Sequence, residues 1–116
     1  AGGGKRRVYV FGPTPSSGAD FGKCFVLEVE GGDLTACDFL RDEIQKEHFG
    51  IVDRLRRAQE REGFEFVDLT NYICDESVCH SSMDGVFIYR DAGHLSREGS
   101  RRIFEEIRRR DVIRFE

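Results

Sequence analysis

Val86-Phe87-Ile88-Tyr89-Arg90-Asp91-Ala92-Gly93-His94-Leu95-Ser96 runs from a short apolar stretch through a polar turn into a helix-like segment that reaches about Arg109. Branched and aromatic residues in succession favour an extended strand, and the Ala92-Gly93 pair interrupts it. Asp91 and His94 then stand three residues apart on a loop at a strand end. A serine-hydrolase relay needs these residue types: a neutral imidazole accepts a hydroxyl proton while its other nitrogen is held by a group that stabilises the imidazolium. Taken alone, the pair is a weak signal and reads first as a solvated loop aspartate with a histidine near a helix N-terminus.

Working outward, Ser96 is the expected N-cap of the following helix, because its hydroxyl can accept from backbone amides two or three residues on. Glu98 in the first turn and Arg108 to Arg110 in the last complement the helix dipole. Ile103, Phe104 and Ile107 form the expected inward stripe. Residues 111–116, with Val112, Ile113 and Phe115, read as a terminal strand or a packed tail.

Upstream, Arg6 to Phe11 is β-rich and stops at Gly12-Pro13-Thr14-Pro15, where proline ends the ladder and fixes a turn. Ser16 to Phe21 reads as loop, and Phe25 to Val29 as a short strand ended by Gly31-Gly32. Between Asp38 and Glu62, Leu40, Ile44, Ile51, Leu55 and Ala58 recur at near-helical spacing. Gly50 is a candidate break in that helix and Gly63 its stop. Phe64 to Leu69 alternates and forms a second main strand, followed by a cysteine-bearing loop from Tyr72 to Asp84. Alternating strands and helices predict an α/β layered sheet, with the two main strands parallel if a right-handed crossover joins them. No linker or repeat divides residues 1–116, so one domain is expected.

The 116 residues, 39% hydrophobic and 34% charged, have the composition of an ordinary folded domain able to bury a modest core. No apolar run approaches the roughly 20 residues needed to cross a bilayer. The net charge of −4 gives no reason to expect a nucleic-acid partner. The arginine clusters around Arg54–Arg61 and Arg101–Arg110 alternate with acids and read as solvated helix faces. Four cysteines, Cys24, Cys37, Cys74 and Cys79, allow three disulfide connectivities. Their spacing is not that of a zinc ribbon, and His80 adjoins Cys79 too closely to complete a site, so neither metal nor cofactor is expected.

Cys74 to Cys79, then Asp84-Gly85, then Tyr89 to Ser100 together resemble the last block of SGNH (GDSL-like) hydrolases. The likeness is strongest to the SGNH domains carried by membrane acyltransferases of family three, which O-acylate bacterial surface polysaccharides. Lys5 to Pro15 followed by Cys24 is similar to the middle strand and loop of those domains. The resemblance implies a three-layer, flavodoxin-like parallel sheet flanked by helices, with Asp91 and His94 catalytic and bridges Cys74–Cys79 and Cys24–Cys37. Such bridges persist in oxidising compartments. The implied location is therefore periplasmic or extracytoplasmic, tethered to the inner membrane by an acyltransferase domain. The implied partners are a glycan acceptor and an acyl donor, and the implied chemistry is that of a serine acyltransferase or esterase.

That family keeps its nucleophilic serine in a Gly-Asp-Ser block near the domain's start, and these 116 residues contain none. The resemblance thus implies the C-terminal portion of an SGNH domain, inactive by itself and prone to self-association. A non-catalytic glycan-binding or partner-positioning scaffold is the alternative. Ser16 and Ser17 lack the strained turn of a nucleophile elbow and read as loop polarity. His48 and His80 have no spaced partners and read as surface or capping residues. Gly12 and Asn71 are not in a G-x-N-D context, which leaves the oxyanion hole unassigned.

Overall fold

The computed structural model describes residues 7–19, 21, 26, 30 and 34–110. They form a mixed α/β unit built from three two-stranded sheets. In chain order these are β1 (Tyr9–Phe11), a 3-10 turn at 34–37, β2 (Phe39–Leu40), a second 3-10 turn (Arg41–Glu43), α1 (Lys46–Glu62) and β3 (Glu65–Val67). There follow α2 (Thr70–Ile73), β4 (Val78–Cys79), β5 (Ser82–Met83), β6 (Val86–Phe87) and α3 (Arg97–Arg109).

The two main strands pair as expected: β1 and β3 are parallel, with Tyr9 opposite Glu65 and Phe11 opposite Val67. A parallel pair requires a long return path, and α1 lies on it. The remaining pairs are antiparallel, β2 with β4 and β5 with β6. The expected cysteine loop is thus partly ordered into strands. Asp84 (φ 52°) and Gly85 (φ 79°) form its tightest turn, since a two-residue hairpin loop that matches strand twist needs positive φ at both positions.

The helix expected from Asp38 onward begins only at Lys46. Leu40 lies in β2 and is half exposed, and Ile51 also faces outward. The buried face of α1 carries His48 and Val52 instead. Gly50 does not break the helix, and a side chain there would meet open space. Gly63 ends it in the left-handed region (φ 76°), its amide reaching the Gln59 carbonyl. In α3, Ile103 and Ile107 are buried, whereas Phe104 is exposed and stacks on Phe11 with ring centroids 5.1 Å apart.

Of the expected strand at 25–29, Val26 alone is described. It is helical, and its carbonyl accepts from the Glu30 amide. Short apolar runs do not distinguish the two periods. The expected tail at 111–116 lies outside the described residues.

The core gathers around Phe21, whose ring packs on Phe39, Phe87 and Tyr89. Val67, Leu69, Ile73, Ile88, Ile103 and Ile107 complete it. Among the described residues no helix is long and apolar enough to cross a membrane.

Candidate active site

The chain leaves β6 through buried Ile88 and Tyr89 and turns at Arg90. The turn is closed by backbone bonds: the Arg90 amide donates to the His94 carbonyl (2.8 Å) and the Ser96 amide to the Ile88 carbonyl (2.8 Å). Asp91 accepts the Gly93 amide at 2.9 Å, a local bond that fixes the carboxylate over its own loop. His94 Nδ1 then lies 2.8 Å from Asp91 Oδ1 and 3.0 Å from Oδ2.

The Gly93 amide and the His94 ring hold the Asp91 carboxyl below the usual carboxylate range. An ionised carboxylate can only accept, so His94 donates from Nδ1 and its neutral form carries the free lone pair on Nε2. The ring is 68% exposed, and Nε2 has no partner among the described residues. This arrangement can take a proton from a hydroxyl brought to the surface and stabilise the charge that results.

Long-range bonds set the loop's position. The Ser16 hydroxyl donates to the Ala92 carbonyl and accepts the Gly18 amide. Ser16 is therefore buried and structural, whereas the sequence suggested a polar loop residue. The Tyr89 hydroxyl donates to the Pro15 carbonyl at 2.8 Å, and burial pushes its pKa up. Below the loop, Ser96 caps α3 by accepting the Gly99 amide at 2.9 Å, as expected. Its hydroxyl also donates to the Phe87 carbonyl at 3.2 Å, joining the helix start to β6. A cleft of about 410 Å³ opens between the 13–18 segment and the first turns of α1, closed at one end by Ala92 and Gly93.

Among the described residues, none of the other candidates hydrogen-bonds to the Asp91 or His94 side chain. His48 is buried, contrary to the surface role expected, and its Nε2 shares a hydrogen bond with Thr70 Oγ1 at 2.9 Å. Its Nδ1 is buried with no hydrogen-bond partner among the described residues, and burial lowers the pKa although Asp68 opposes that shift. His80 does have partners, bridging Asp38 (3.3 Å) and Asp75 (3.1 Å). The Gly12 amide is committed to the Val67 carbonyl at 2.9 Å. The Asn71 carbonyl accepts from the Arg110 side chain, just past the end of α3. Ser17 accepts the Ala19 amide at 3.3 Å in an exposed turn, in keeping with loop polarity.

Cys74 and Cys79 form a disulfide. Cys37 is also disulfide-bonded, while Cys24, the partner implied for it, lies outside the described residues. Ser16, His48 and Gly99 were the residues that sequence reasoning left out of the site or its supports. Their roles depend on contacts across the fold, and only Gly99, a glycine in a helix's first turn, carried a signal.

Over residues 1–109 the chain matches the family model of the SGNH domain fused to AT3 domains. No curated protein matches it. Among solved structures it is similar to the lipopolysaccharide acetyltransferase periplasmic domain of Salmonella ser. Paratyphi A, with a TM-score of 0.64 at 19% identity. That match covers 92% of this chain and 42% of the other, so the chain spans less than half the length of that structure. A likeness at this level of identity concerns the fold.

Proposed function

Because the chain belongs to the family of SGNH domains fused to AT3 domains, we propose that it carries the base and orienting carboxylate for O-acyl transfer, acetyl above all, to a bacterial cell-surface polysaccharide. The observation that carries this reading is the Asp91–His94 contact at 2.8 Å on an exposed imidazole. A serine supplied by a Gly-Asp-Ser block gives its proton to His94 Nε2 as it attacks the donor ester. The leaving group takes that proton, and an acyl-serine remains. A sugar hydroxyl, deprotonated by the same nitrogen, then attacks the acyl carbon and releases the serine; water in its place gives hydrolysis. Asp91 keeps the imidazole in the right tautomer and balances its charge.

The intact domain, on this reading, is a three-layer parallel sheet of which β1 and β3 are one pair. It works on the periplasmic side of the inner membrane, beside its AT3 partner. The Cys74–Cys79 bond supports an oxidising compartment. The test is acetylation of surface polysaccharide by the full-length protein. His94→Ala is expected to lower the rate by about a hundredfold or more, the usual worth of a general base, and Asp91→Asn to follow it. Unchanged acetylation in both variants, at equal protein level, would hand the loop to a scaffold role. The 116-residue chain alone, lacking a Gly-Asp-Ser block, is expected to leave small acetyl esters intact.

A further inference from the structure

The cleft beside the Asp91–His94 loop falls within the ~300–1,000 Å³ typical of small-molecule sites, and its construction selects among ligands. Pro13 and Ile51 give it apolar surface, while Thr14, Gln45 and Glu47 give it polar groups. The Gln45 side chain lies against Gly18, so close that a Cβ there would stand 2.6 Å from the carboxamide nitrogen. Its backbone amide donates to the Ser16 carbonyl at 2.9 Å. Gln45 is thus tied to the same segment that Ser16 fastens to Ala92, and the wall is built before any ligand arrives.

Charge in this cleft is one-sided. Glu47 is exposed, is the one formally charged side chain among the lining residues, and has no ion-pair partner among the described residues. Among the described residues no lysine or arginine lines the cleft. His48, also in the lining, is buried, which disfavours its charged form. A sugar ring offers a C–H face to apolar walls and a rim of hydroxyls to acceptors, and an unpaired carboxylate can accept two neighbouring hydroxyls. The same carboxylate repels an anion.

We propose that this cleft seats one neutral sugar residue of the acceptor, with Glu47 accepting from its hydroxyls and discriminating against acidic sugars. The inference rests on the acyl-transfer reading for what the ligand is, and adds where it sits and which charge class is taken.

The test is a titration of the isotope-labelled 116-residue chain, followed by amide resonances, with methyl glucoside and methyl galactoside against their uronides. Each pair differs by a carboxylate at C6. The neutral glycosides are expected to shift Gly18, Glu47 and Gly93 saturably, and the uronides to bind about tenfold more weakly. Glu47→Gln, at an exposed helix position, is expected to keep the spectrum of the fold and reduce that preference to about twofold or less. Equal binding of both classes, an unchanged preference in Glu47→Gln, or the absence of shifts at the cleft overturns the proposal.

The same titration of His94→Ala separates the two readings. Sugar shifts at the cleft, with acetylation by full-length His94→Ala intact, would refute the relay and leave the cleft standing. Acetylation that depends on His94, without sugar shifts, would refute the cleft alone.

Discussion

Gly99 lies against Ile88 so closely that a Cβ on the glycine would stand 2.1 Å from the Ile88 carbonyl oxygen. The first turn of α3 is pressed onto the backbone of the strand that leads to Asp91. Helix propensity alone predicts that Gly99→Ala stabilises α3 by about 1 kcal/mol. The contact reverses the sign: the neighbour is backbone and cannot rotate away. Gly99→Ala is expected to destabilise by about 1–3 kcal/mol, as overpacking does, measured by urea unfolding. Any gain in stability would contradict the contact.

The Cys74–Cys79 bond closes a short loop with a sequence separation of 5. Its two ends also belong to the core. Restricting the unfolded chain over so few residues contributes about 2 kcal/mol in the chain-entropy picture. A Cys74→Ala/Cys79→Ala variant should therefore lose about that much unfolding free energy, measured from the midpoint and slope of urea unfolding.

His48 makes stability depend on pH. Its pKa is lowered from 6.5 by burial in the folded state, so the unfolded chain takes up a proton at higher pH than the folded one. The stability that neutral His48 provides is complete above about pH 6.5 and declines as pH falls towards the folded pKa. His48→Gln, which does not titrate, should flatten this part of the profile. Melting temperatures of both proteins between about pH 7.5 and 5 would reveal it, and parallel profiles would exclude His48 as the cause.

Val8, Phe11 and Phe104 are exposed, and β1 pairs with β3 alone among the described residues. A strand edge beside apolar side chains invites pairing with another chain. The 116-residue chain is expected to associate with increasing concentration in light scattering, and Phe104→Glu to shift it towards monomer. A monomer at all concentrations would mean that this edge is already satisfied.

Local signals were readable in the sequence. The Ser96 cap, the Gly63 stop, the β1–β3 pairing and the closeness of Asp91 to His94 each follow from residues a few positions apart or from strand patterns. What was missed is long-range or depends on context. The start of α1 was misplaced because Leu40 and Ile44 match the helical period by coincidence, while the face that the fold buries runs through His48 and Val52. Asp84-Gly85 is a strong hairpin signal that the cysteine-loop expectation leaves unused, and it forms the turn between β5 and β6. Nothing near Ser16 in the sequence indicates that its hydroxyl finds Ala92, 76 positions away.

That last separation bears on the order in which the site comes together. Asp91 and His94 meet within three positions, a contact available to a peptide, whereas the wall of the cleft hangs on bonds that span 74 and 76 positions. Closing a loop of that length costs about 4 kcal/mol in chain entropy, which the packed core must offset beforehand. On the proposed reading, proton transfer is therefore encoded early and locally, and recognition late and globally. Under denaturant, amide exchange in the 13–18 segment should open before the relay loop loses its turn, so the chain would lose its selectivity before its base.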